Sequence, residues 1–599
     1  MPRRFLLSFV CALLLCSCHR QPRPTFEDWV RSFPSAEPMA LFDHAGNPAL
    51  RKRVTLADET RDAFVLFPGE ELVDKKSVAP GSRLILAVAE LRRITKAIRP
   101  PSKLTLSLTS ASATRSFSLD PNRLAWQERE FSLDDFAGQN VTFRIQLELL
   151  ATPESGRPSF ALVIANPTLA EPRPEDRLNL ILLNIDTLRP SHLGRFGYPR
   201  DTSPFLDRFA QECVLFEQAE SQASWTPPSV GTLFTSLYPP QHGSLGKDRI
   251  PLPEANLTLA EILRQAGWRT AAFSASPFIT PDYGFGQGFE VFGFEKIEHA
   301  PALNARVLPW LEEHGSEPFF LYIMYFDPHH HYQPLPPFDR KFQNGPDGKP
   351  LWNPERFRDH PPRVMKLDQR VDRETFEYLR SEYDGEIGVV DQALEELIEK
   401  LRETGRLDHS VLVITSDHGE EFLDHGRFGH GRTLYEEVLR VLLLVRTPSL
   451  PRPGLRVPRL VRVLDIMPTA LDLLGVPAPA NLEGKSLVPW LKDANAEGDR
   501  EAFASMQHMF EAGRTARSLR QGGRKLILTT NPDAVELYDL DQDPGETHNL
   551  APAAPEVVRE LTARVTALEH QMQGSAVGTP LNPPDAETLK LLQSLGYLD

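Results

Sequence analysis

The sequence predicts an α/β fold with a β-sandwich ahead of it and a small α+β part behind it, on three observations. From residue 178 onward, continuous apolar runs end in polar residues. Amphipathic stretches with helical spacing lie between them, and before residue 170 the apolar runs are short, alternating and broken by turns. The length agrees: 599 residues hold roughly two to four domains at about 150 residues each.

In chain order, Met1 to Ser17 comes first, with Arg3 and Arg4 ahead of the apolar run Phe5 to Leu15. That is the layout of a bacterial signal peptide, and it is too short to span a membrane as a helix. Leu15 to Cys18, LCSC, resembles a lipobox, with small Ser17 before the cut and Cys18 as the lipidated N-terminus. Cleavage ahead of Cys16 is disfavoured by Leu15, and a leader without lipid is the alternative. The expectation is an exported cell-envelope lipoprotein facing the periplasm, tied to the membrane by its N-terminal lipid. Cys11, Cys16 and Cys18 belong to leader or anchor, so Cys213 remains. No internal disulfide is then possible, and Cys213 is expected as a small buried apolar residue.

Residues 37–170 carry RLILAVAEL, KLTLSLTS, RSFSL, VTFRIQLEL and FALVIANP between turns, the pattern of an antiparallel β-sandwich. The stretch WQEREFSLDDFAGQNVTFRIQLEL resembles jelly-roll domains similar to carbohydrate-binding modules. Trp126 is expected in the core rather than stacked on a sugar, given the apolar area its ring buries.

After the linker EPRPEDR, residues 176–495 read as the α/β domain. LNLILLNID, WRTAAFSAS, PFFLYIMYFDPH and HSVLVITSDHGEE are buried parallel strands in pattern, each delivering polar residues at its end. Thr375 to Thr404 is a helix by the spacing of Tyr383, Ile387, Val390, Leu394, Leu397 and Leu401. Residues 496–599 read as a smaller α+β part with a helix near Pro555 to Met572. Pro-rich loops such as HYQPLPPFDRKF and DHPPRV are expected to rim the site.

The net charge of −15, without long basic runs, argues against a nucleic-acid partner. An anionic substrate must be held by local groups or a metal. Asp186, in NIDTLR, and Asp417 with His418, in ITSDHGEE, end two apolar runs and supply hard oxygen and imidazole ligands. Each alone reads as readily as a helix cap or ion-pair partner. Joined with Thr226, in SWTPPSVGTLFTSLYPPQHG, they make a metal site.

These stretches, with NIDTLRPSHLGRFGYPRDTSPFLDRFA, FDPHHHY, TSDHGEEFLDHGRFGHGRTLYEEVLRV and ELYDLDQDPGETHNL, resemble the bacterial sulfatase family of the alkaline-phosphatase superfamily. The resemblance spans residues 178–550. It implies a doubly wound α/β sheet and one divalent cation, Mn²⁺, Zn²⁺, Ca²⁺ or Mg²⁺, beside the nucleophile. Asp186, Asp417 and His418 match metal-ligand positions. Thr226 matches the nucleophile, which is also a ligand. His329 matches a substrate-contacting histidine and could protonate the leaving alcohol, and His430 matches another histidine of the family, read as substrate-binding.

Departures from the pattern bear on the substrate. The nucleophile turn reads C/S-x-P-S-R in the family and Thr226, Pro227, Pro228, Ser229, Val230 here. Oxidation of threonine would give a ketone, so no formylglycine is expected. Thr187 stands where a second acid follows the first, and the family's lysine–histidine segment has no counterpart near AAFSASPFIT. Asn184, Arg189, His192, His242 and Lys247 could compensate, Arg189 as a substrate contact, and each reads as readily as a structural group. Asp384 is followed by Gly388, so the D-x-x-x-H motif of two-zinc relatives is not formed there, and one metal is expected. Side chains on an extended segment diverge, so the run His329 to His331 is not expected to hold another ion.

The function that follows is hydrolysis of sulfate or phosphate esters through a covalent Thr226 ester, on a small molecule or a glycan. Alternatives are transfer of phosphoglycerol or phosphoethanolamine groups among envelope components, and glycan binding without catalysis.

Overall fold

The computed structural model describes residues 30–31, 50–56, 59–92, 102–119, 125–150, 160–170, 177–244, 250–294, 296–314, 317–345, 347–357, 370–498, 500–507 and 513–572. The leader, Cys18, most of the linker after residue 170, Lys247, DHPPRV and the last residues lie outside them. Among the described residues no helix is long and apolar enough to cross a membrane.

The central strand, Asn179–Ile185, is buried along its whole length, as its unbroken apolar run requires. It pairs in parallel with Phe319–Tyr325 on one side and Ser410–Ser416 on the other. Its side chains alternate between two cores, because successive residues of a strand point to opposite faces. Ile181, Leu183 and Ile185 pack with Tyr383, Ile387, Leu394 and Leu397 of the helix Arg373–Glu403. Leu180 and Leu182 pack with Val230, Leu233 and Phe234 of the helix Thr226–Thr235. Helices thus cover both faces, and the sheet is doubly wound as expected. The long helix starts where Asp372 caps it by accepting from the Thr375 amide (2.9 Å).

The β-sandwich is present. One sheet joins Glu71–Ser77, Asn140–Leu149, Ser102–Thr109 and Thr114–Ser118. It faces a sheet of Glu59–Leu66, Phe160–Ala170, Arg83–Arg92 and Gln127–Ser132, with Leu72, Leu86, Leu106, Phe143, Ile145 and Ile164 between them. The second sheet does not end there. Glu59–Leu66 pairs antiparallel with Val291–Gly293, so sandwich and α/β domain share one 14-stranded sheet. Trp126 is half-buried at this sheet rather than interior. Its Nε1 donates to the Glu59 carbonyl (3.2 Å), and the Arg61 guanidinium lies 5.7 Å from its ring. Cys213 is buried, as expected.

Arg269 fastens this junction. Its buried guanidinium meets Glu290 (2.6 Å), Glu317 (3.4 Å) and Glu128 (3.3 Å), the last from the sandwich. Removing it leaves the buried Glu290 without its cation, while Glu317 keeps Arg83 and Glu128 keeps Arg61, so Arg269→Ala is expected to cost about 3 kcal/mol. Urea unfolding measures this, and a loss below about 1 kcal/mol would show that the junction does not depend on it.

The C-terminal part is an antiparallel sheet of Glu501–Gln507, Thr515–Gln521, Arg524–Thr530 and Ala534–Asp539. The helix Pro555–Gln571 packs on it through Leu561, Val565 and Leu568.

Candidate active site

The α/β topology brings the ends of three parallel strands to one edge, and the polar residues meet there. Asp186 follows the central strand, its amide donating to the Tyr325 carbonyl (3.0 Å). Asp417 and His418 follow the neighbouring strand. Thr226 opens the helix that packs on the sheet, with Pro227 and Pro228 in the first turn, where proline's missing N–H costs nothing. Ser229 fastens that turn by donating to the Asp417 carbonyl (2.6 Å). One turn on, Gly231 lets the helix approach His242, whose ring would lie 2.7 Å from an added Cβ.

Thr226 Oγ1 lies 3.4 Å from Asp186 Oδ1 and 3.2 Å from His418 Nε2. His418 Nδ1 faces the Gly419 carbonyl at 2.9 Å; donating there fixes the tautomer and turns the Nε2 lone pair into the cluster. Nε2 is 3.6 Å from Asp186 and 3.4 Å from Asp417 Oδ2. Asp417 Oδ1 accepts from the amides of Thr187 (3.3 Å) and His418 (3.0 Å). Thr187 is held at φ +54°, a strained conformation for a β-branched residue, and Tyr383 fixes it by donating to its carbonyl (2.8 Å).

Whether a cation fits here is decided by what has no partner. Asp186 Oδ2, Asp417 Oδ2 and Thr187 Oγ1 are buried without a hydrogen bond, which is costly for a carboxylate. Burial holds both carboxyls above their usual range, and the charges of Asp417 and Glu420 push Asp186 further. Asp186, Asp417 and His418 can all present ligand atoms within 4.8 Å of one another. A divalent ion satisfies these orphans and offsets the buried charge, so the residues fit it.

A second face is built of histidines. His329, from the turn after Phe319–Tyr325, and His430 are buried, with rings 5.1 Å apart; His430 lies 4.6 Å from His418. His430 Nδ1 meets Glu420 Oε1 (2.9 Å), and Tyr332 donates to the other Glu420 oxygen (3.0 Å). Burial, then neighbouring imidazoles, hold His329 well below its ordinary value; His430 is likewise lowered, by burial, His418 and Arg432. The expected divergence along His329–His331 does not hold between the first two rings, which stack 4.2 Å apart. They lie in a turn rather than a strand, so alternation does not apply. His330, read in the sequence only as part of the histidine run, and Glu420, absent from that reading of the site, are fully buried in it.

The compensating groups are otherwise employed. The Arg189 guanidinium is taken by Asp424 (2.7 Å at each of two oxygens), Ser191 and the Glu420 carbonyl. His192 is bound to Asp384 (2.7 Å), which also holds Tyr198 and Arg200. His242 faces Thr232 and the Pro228 carbonyl (3.1 Å each) beneath the helix Thr226–Thr235, and burial lowers it to about 3. Asn184 donates to Tyr322 and Met324 within the sheet.

Comparison with known proteins agrees with this architecture. The sulfatase family model matches residues 178–476, and that of the C-terminal region of N-sulphoglucosamine sulphohydrolase matches residues 424–571. Arylsulfatase K of Rattus norvegicus is 32% identical over 208 residues, 33% of this chain and 36% of that protein; the chain thus spans little more than a third of this relative's length. An ulvan-active sulfatase of Formosa agariphila is 25% identical over 408 residues, 62% of this chain and 76% of its own. The phosphonate monoester hydrolase of Agrobacterium radiobacter superposes with a TM-score of 0.57 at 22% identity, covering 68% of this chain and 100% of that one. A protein solved with its substrate D-glucosamine-2-N,6-O-disulfate gives 0.57 at 19% identity, over 66% and 98%. The strand-end acids and the Thr226 turn lie within the sulfatase match and the C-terminal sheet within the second match, and the chain belongs to the sulfatase family.

Proposed function

We propose that this chain hydrolyses sulfate or phosphate esters with a divalent ion and an unmodified Thr226 nucleophile, phosphate and phosphonate esters ahead of sulfate. The observation that carries the reading is the Thr226 hydroxyl, 3.2 Å from His418 and 3.4 Å from Asp186, in a cluster whose buried carboxylates need a cation. Asp186, Asp417 and His418, with Thr226, would hold the ion. When bound, it supplies positive charge that acidifies the Thr226 hydroxyl and neutralises a nonbridging ester oxygen.

Thr226 Oγ1 attacks the phosphorus in line and displaces the alcohol, which leaves with a proton. Water then attacks the phosphorus, the bond to Oγ1 breaks, and Thr226 regains its proton. Leaving-group stabilisation falls to the histidine face, where the family pattern points to His329. The order of substrates follows from the intermediate. A sulfated hydrate of formylglycine collapses by eliminating sulfate, whereas a threonine ester must be opened at the central atom, which phosphorus permits more readily. Relatives named as an ulvan-active sulfatase and an N-acetylglucosamine-6-O-sulfatase support a sulfated glycan, and the leader's Cys18 anchor would place the chain at the envelope.

The test is turnover by the full chain, loaded in turn with Mn²⁺, Zn²⁺, Ca²⁺ and Mg²⁺, on 4-nitrophenyl sulfate, phosphate, phosphodiester and phosphonate. Metal-dependent phosphoester turnover is expected to exceed sulfate turnover. The reverse order overturns the substrate ranking; no turnover on any ester moves the reading to group transfer or binding.

A further inference from the structure

We propose that His329, His330 and His430 hold a second divalent cation, zinc or a like borderline metal, beside the ion of the Asp186–Asp417–His418 site. The proposal deepens the reading above and rests on its first ion. The three imidazoles come from two loops at the sheet edge, are at most 2% exposed, and can present ring nitrogens within 4.8 Å of one another. They are oriented from behind. Glu420 meets His430 Nδ1 and is itself fixed by Tyr332, the kind of outer carboxylate that commonly orients a metal-binding histidine. His329 Nδ1 is likewise directed to the His330 carbonyl.

Charge supplies the second argument. Asp186, Asp417 and Glu420 put three buried carboxylates around the cluster. Among the described residues, Arg189 is matched by Asp424 and Arg432 acts on His430. Even counting Arg432, one divalent ion brings the group only to neutrality, which gives an anionic ester no net attraction. Val230 replaces the arginine of the nucleophile turn, and the lysine segment has no counterpart. A second ion gives the site the positive charge those side chains would have supplied.

Three imidazoles suit zinc and leave a fourth position open, whereas the oxygen-rich first site suits a harder ion. Adjacent ions stabilise the attacking and leaving oxygens of an in-line displacement together. A ligating His329 does not protonate the alcohol, so the ion assumes the leaving-group role of this face.

Metal content decides the matter. The full chain is stripped with chelator, loaded with Zn²⁺ alone and gel-filtered, alongside Asp417→Asn, His330→Ala and His430→Gln. About two ions per chain are expected in the wild type and about one in each variant. If the wild type binds about one ion, lost in Asp417→Asn and kept in both histidine variants, the second site is overturned and the first stands. If its ion is lost only in the histidine variants, the second site stands and the reading of the first fails. A histidine variant that still binds about two ions, with wild-type thermal unfolding, also overturns the proposal. Should His330→Ala not fold, His430→Gln and the wild-type content still decide it.

Discussion

Thr226→Ala, loaded with the same ion, is expected to lose three orders of magnitude or more of its ester turnover, roughly the scale on which a covalent nucleophile acts, while folding normally. Alanine keeps the Cβ that packs at the start of the helix Thr226–Thr235 and removes only the hydroxyl. Asp186, Asp417 and His418 remain, so metal content should fall little. Thr226→Ser keeps the hydroxyl and is expected within about tenfold of wild type. Acid quenching during phosphoester turnover, followed by peptide mass analysis, should find one phosphoryl increment on the peptide carrying Thr226. Full turnover in Thr226→Ala would remove the nucleophile from the mechanism, whatever the metal content.

The cluster of Asp186, Asp417 and His418 was legible because its signals are local. An apolar strand that ends in an acid places that acid at a sheet edge, and Asp186 and Asp417 both do so on paired strands. Thr226 was legible from its turn. What was not legible depends on geometry between loops. Nothing near His430 announces that its ring will meet His329 and His330, because the contact is made by two connections whose paths local pattern does not set. Arg189 and His192 look available in sequence for the same reason: Asp424 and Asp384, which engage them, are more than 190 residues away. The join of Glu59–Leu66 to Val291–Gly293 was equally hidden, since a strand's pattern specifies which face is buried, not which strand it pairs with.

Asp417→Asn is expected to separate stability from function. Without an ion, the folded chain keeps Asp186 and Asp417 buried beside Glu420, and burial raises both carboxyls, Asp186 further through Asp417 and Glu420. A carboxyl raised on folding binds its proton more tightly in the native state. Above the unfolded value of about 3.9, native stability is therefore lost as pH rises, until the folded value is passed. The asparagine Oδ1 can still accept from the Thr187 and His418 amides, and the change removes one charge and relieves Asp186. The ion-free variant should be more stable than ion-free wild type by about 1–3 kcal/mol at pH 8, with a smaller difference at pH 5. Adding the ion should stabilise wild type by more than the variant, which has lost the Asp186–Asp417–His418 site, because mass action needs an intact site. Thermal unfolding of both chains, with and without ion at the two pH values, measures this. If asparagine destabilises the ion-free chain equally at both, the carboxylates are structural, and the cation site is lost with the catalytic reading built on it.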